Sequence, residues 1–149
     1  MLFSDAKGRK VVSTSTAETV GKVKEFVVDP ASRSVLAIHL KKAESGDTLR
    51  WSDITGFGED AVTVPGTDVI TEAPADVAAL SDKAHRVLGK RVLDSRGDDL
   101  GEVKDVDFDH TDGTLTALVL ENSRVAGIRL VGIGSYAVVV KAEGPTTTR

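Results

Sequence analysis

The segment DVDFDHTDG, residues 105–113, places carboxylates at Asp105, Asp107, Asp109 and Asp112, a density of oxygen ligands that could hold a calcium ion. A calcium loop of the EF-hand type also needs glycine at its sixth position and a bidentate glutamate at its last. Counted from Asp105, those places hold His110 and Thr116. Val106 and Phe108 alternate with Asp105 and Asp107, the period of a strand with one wet and one buried face. The corresponding stretch in the first half of the chain reads Glu25, Phe26, Val27, Val28, so the acids are not repeated. A solvated strand and turn is expected here, with no metal.

The other reactive residue types form no constellation either. His39, His85 and His110 are scattered, and none is paired in sequence with a nucleophile. The motifs GFG (56–58) and GIG (132–134) lead into valine-rich strands rather than a helix N-terminus, which reads as close turning and not as a phosphate cradle. A candidate basic rim, Lys7, Arg9 and Lys10 with its echo Lys90 and Arg91, could meet phosphates, but no aromatic residues are interleaved to stack bases. With no acid, base and nucleophile set, the chain is expected to be neither an enzyme nor a cofactor carrier.

Bulk composition narrows the class. Of 149 residues, 40% are hydrophobic and 28% charged, but only 4% are aromatic, so the core is expected to rest on aliphatic and β-branched side chains in strands. A formal charge of -4 repels phosphate backbones and anionic lipid on average. Nucleic acid is therefore an expected partner only indirectly, through ribosomal assembly. Cysteine is absent, which removes disulfides and thiolate chemistry and fits a cytoplasmic location. No stretch approaches the apolar length of a membrane span or a signal peptide, so neither is expected.

The elements that must position any site come from a duplication. VGKVKEFVVDPASRSVLAIHL (20–40) lies over LGEVKDVDFDHTDGTLTALVL (100–120) without a gap, at a shift of 80. Upstream, KGRKVV (7–12) lies over LGKRVL (88–93) at a shift of 81; downstream, GFGEDAVTV (56–64) lies over GIGSYAVVV (132–140) at a shift of 76. Three blocks in order, with length changes confined to the gaps, mark one unit written twice. Short strands separated by turn signals predict an all-β fold of two tandem small antiparallel β-barrels. The boundaries expected are 1–64 and 85–143 for the repeats. Residues 65–84 form a linker with a short helix after Pro74, and 144–149 a frayed tail. Units this small are marginal alone and are expected to lean on each other.

In TLTALVLEN (114–122), Leu118 and Leu120 are read as facing the barrel interior. That leaves Leu115, Ala117 and Val119, with Val35 and Ala37 in the first copy, as an apolar outer stripe and candidate protein interface. Its first expected cover is the sister barrel; a second chain or a partner protein are the other possibilities. GKRVLDSRGDDLGEVKDVDFD (89–109) and the closing GIGSYAVVV resemble the PRC-barrel family, the small β-barrel shared by the photosynthetic reaction-centre H subunit and the C-terminal domain of the ribosome maturation factor RimM. The resemblance implies a tandem PRC-barrel protein, a docking or adaptor module with an unidentified protein partner or self-association, and no catalytic residues. By analogy with the RimM barrel it also admits a ribosome- or RNA-associated assembly factor.

Overall fold

The computed structural model describes residues 1–143; the expected frayed tail, 144–149, lies outside the described residues. The first repeat opens on one helical turn, α1 (Phe3–Ala6), that buries Phe3 and Ala6. Strands β1 (Lys10–Ser13), β2 (Thr19–Asp29), β3 (Ser34–Lys41) and β4 (Thr48–Arg50) then pair antiparallel in succession. They are rich in β-branched residues, whose side chains pack well on a pleated surface. A 3₁₀ turn at Trp51–Asp53 redirects the chain into the hairpin β5 (Gly56–Phe57) and β6 (Val62–Val64).

The second repeat follows the same course. Strands β8 (Arg91–Asp94), β9 (Asp99–Glu102), β10 (Asp105–Phe108), β11 (Leu115–Val119) and β12 (Arg124–Ala126) precede a 3₁₀ turn at Gly127–Arg129. The hairpin β13 (Leu130–Ile133) and β14 (Val138–Val140) closes it. Together β9 and β10 occupy the place of the single long β2.

In both repeats the last strand runs parallel to the first: Val11 faces Val62 and Val92 faces Val138. The expectation of purely antiparallel barrels is corrected by these pairs. Alternation of polar and apolar residues reports which side faces inward but not which way a strand runs, so the reversal made by the 3₁₀ turn left no mark in the pattern. The sheets are also mixed and open rather than one closed barrel: the first repeat runs β5-β6-β1-β2-β3-β4-β7, with β7 (Ile70–Thr71) inside the segment read as linker. Further along that segment, α2 (Ala75–Ala79) follows Pro74 and a 3₁₀ turn spans Lys83–His85.

The repeats face each other across a near two-fold axis that runs between Ser34 and Thr114, which form a bridge. Val35 N donates to Gly113 O at 2.8 Å and Leu115 N donates to Arg33 O at 2.9 Å. These two bonds are the same bond under the shift of 80, the signature of an isologous contact made within one chain. One hydrophobic core runs through both repeats, from Val11 and Ile38 to Leu118 and Val138. Its centre is aromatic. Phe3 stacks on Phe26 with ring centroids 4.1 Å apart, Trp51 stacks on Phe57 at 5.4 Å, and Phe108 from the second repeat meets Phe3, Phe26, Phe57 and Trp51 at 5.4 to 6.1 Å.

Candidate functional site

The acidic segment that could have held calcium is distributed over separate local tasks. Asp105 accepts hydrogen bonds from the amide and hydroxyl of Ser4, while Asp107 accepts from the Met1 ammonium at 2.8 Å and from Arg124 at 2.9 Å. Asp109 and Asp112 accept from the amides of Thr111 and Thr114, each at 2.9 Å, and so shape the turn between β10 and β11. Burial pushes the Asp107 carboxyl up, but its hydrogen bonds to the ammonium and to Arg124 outweigh that and hold it below the ordinary value. Asp109, through its bonds to Thr111, and Asp99, through the Gly101 amide and Arg91, are also held low.

A pH dependence follows from these directions. Groups whose folded-state pKa is depressed bind protons more readily in the unfolded chain, so their stabilisation is present above about pH 4 and is lost as pH falls through their folded values. The midpoint of urea unfolding is expected to stay level from neutral pH to about pH 5 and to drop below about pH 4. Asp107→Asn is expected to flatten that drop.

Each histidine is engaged. His39 lies between Ser81 Oγ at 3.0 Å and Thr48 Oγ1 at 3.3 Å. The Ser81 hydroxyl donates to Val77 O at 2.6 Å, so it pins α2 to the sheet and is not held as a nucleophile. His85 contacts Asp82 at 2.6 Å, and His110 Nδ1 donates to Phe57 O at 2.8 Å across the repeats.

The basic residues do not form one rim. Arg9 donates to Gly58 O at 2.7 Å and lies 5.8 Å from the centre of the Phe57 ring. Lys90 donates to Lys83 O and Ala84 O at 2.8 and 2.7 Å, and its pKa is lowered chiefly by burial. Arg91 is held by Asp99 through contacts of 3.0 to 3.1 Å. Lys7 and Lys10 remain exposed.

The apolar stripe is turned inward. Val35, Ala37, Leu115 and Ala117 are buried and only Val119 is half-exposed. These residues therefore do not present the outward stripe that strict alternation suggested. Register shifts within the β2–β3 and β10–β11 pairs change which side faces in. Ala37 packs with Val27 beneath Val77 of α2, and Val35 and Leu115 belong to the core common to both repeats.

Two surface features stand out that this pattern did not reveal. The first is a cleft of about 220 Å³ astride the near two-fold axis. Both members of several equivalent pairs line it: Lys24 and Lys104, Glu25 and Asp105, Ser4 and His85. The second is an exposed apolar edge on the second repeat. Ile128, Val131 and Tyr136 are 75, 53 and 81% exposed, and β13, which carries Val131, is an outer strand of its sheet. At a shift of 76 the first repeat has Ser52, Thr55 and Asp60 in these places, all exposed. Comparing the copies position by position after the three-block alignment would have exposed this contrast from sequence.

Among the described residues no helix is long and apolar enough to cross a membrane. Comparison with curated proteins gives no match. The model of one family, the PRC-barrel domain, matches residues 1–77 and again residues 81–144. With two matches covering nearly all of the sequence, and a fold written twice in mostly β structure, this chain belongs to the PRC-barrel domain family as a tandem pair.

Proposed function

We propose that the tandem PRC-barrel chain is a non-enzymatic docking module whose contact surface is the edge formed by Ile128, Val131 and Tyr136. The observation that carries this reading is the contrast between copies. The same exposed positions on the same scaffold are polar in the first repeat and apolar in the second. Folding demands are nearly equal at equivalent positions, so a difference confined to the solvent side has its cause outside the fold. Exposed apolar side chains on and beside an outer strand are a recurrent mark of protein contact. Val131 lies on β13, Ile128 in the turn before it and Tyr136 in the loop after it, and an exposed tyrosine brings large contact area with a polar tip. The reading as an RNA-associated assembly factor is less favoured, because Arg9, Lys90 and Arg91 are engaged within the chain.

The test is capture from native cells with the wild type and with Val131→Lys/Tyr136→Asp, each with and without nuclease. These surface changes are expected to shift stability by less than about 0.5 kcal/mol, checked by thermal unfolding, while abolishing capture of a nuclease-resistant protein set. An unchanged set with the double variant would sink the proposal, and a set lost on nuclease treatment would favour the RNA reading.

A further inference from the structure

The cleft on the near two-fold axis has a built-in polarity. At the pair related by the shift of 81, one wall carries Lys7 and the other carries Leu88, which is 42% exposed. Its floor includes Phe3, Phe26 and Val28. Of the carboxylates around it, Glu25 pairs with Arg86 at 3.2 Å and Asp82 contacts His85 at 2.6 Å, while Asp105 accepts from the uncharged Ser4 and keeps its charge. Among the described residues neither Lys7 nor Lys24 has a carboxylate within ion-pair distance, and Lys104 has only Glu102 at 3.8 Å.

Lys24 also sits where the backbone is re-aimed. The register of β2 on β3 passes from Val23–Leu40 to Glu25–His39, which leaves Lys24 as the extra residue of a bulge. Its equivalent, Lys104, lies in the break between β9 and β10. The strand irregularity thus recurs in both copies, and each time it carries a lysine to the mouth of the cleft.

We propose that this cleft binds a small organic carboxylate with an apolar body. The tail lies on Phe26, Val28 and Leu88, and the carboxylate is held among Lys7, Lys24 and Lys104. An apolar floor with a few polar groups is the usual composition of a small-molecule site. The four lysine and arginine side chains that line the cleft, Lys7, Lys24, Arg86 and Lys104, outnumber its three carboxylates, Glu25, Asp82 and Asp105, which sets the sign of the ligand. The site is separate from the β13 edge, so neither proposal depends on the other.

Octanoate and octylammonium, alike in tail and opposite in charge, are the probes. Titrated into the isotopically labelled full chain, octanoate is expected to produce saturable amide shifts centred on Phe26, Val28 and Leu88, with octylammonium at least about tenfold weaker. Lys7→Glu and, separately, Lys104→Glu are expected to weaken octanoate by about tenfold, whereas Lys10→Glu, outside the cleft, leaves it unchanged. Equal affinity for the two probes, shifts centred elsewhere, no saturation, or indifference to both cleft variants would each overturn the proposal.

Discussion

Phe108→Ala is expected to destabilise the whole chain by about 3–5 kcal/mol, the range for removing a large buried aromatic side chain. Phe108 is 1% exposed and its ring meets Phe3, Phe26, Phe57 and Trp51. It belongs to the second repeat, while all of its aromatic neighbours belong to the first. Truncation therefore opens a cavity in the contact between repeats rather than inside either one. Chemical unfolding followed by amide signals of β1, which report the first repeat, and of β14, which report the second, should give coincident transitions before and after substitution. Two separated transitions in the wild type would mean that each repeat folds alone.

Gly127→Ala is expected to be comparably severe, at about 3 kcal/mol or more. A Cβ at Gly127 would lie 2.0 Å from the backbone oxygen of Leu115 and 2.6 Å from its carbonyl carbon. The Leu115 backbone is held by its pairing with Phe108 of β10 and by the bond from its amide to Arg33 O at 2.9 Å, so it yields only at the cost of these contacts. Gly134→Ala is the control, because a Cβ there meets nothing within 4 Å. Thermal unfolding of the two variants should separate them clearly. Equal stability would show that β11 has slack which its close contact does not suggest.

The duplication was legible because its three blocks preserve register, and the strands because valine, isoleucine and turn residues punctuate them at short intervals. Direction was not legible, as the parallel contact of β14 with β8 shows. Simple alternation failed at Leu115, because a register shift at Thr116 brings Leu115, paired with Phe108, to the same side as Leu118, paired with Val106. Low aromatic content suggested a core in which rings hardly matter. The chain has four Phe, one Trp and one Tyr; the four Phe and Trp51 converge where the repeats meet, and Tyr136 is exposed. Composition counts rings but does not say where they gather. The cleft was illegible for a related reason, because it is assembled from pairs some eighty positions apart whose meeting depends on the axis.

At the position of Trp51 the second repeat has Gly127, and at the position of Gly113 the first has Arg33. Trp51 lies over Gly113, where an added Cβ would be 3.0 Å from the indole, and Arg33 Nε donates to Leu130 O at 2.8 Å. Two first repeats set face to face would bring each indole against an arginine, and two second repeats would leave glycine opposite glycine. The halves have become like a left and a right glove, so a gene shortened to either copy would not restore a symmetric dimer. The tether between them, which keeps the fitting partner at an effective concentration of about millimolar, also decides which of the three pairings a newly made chain finds first.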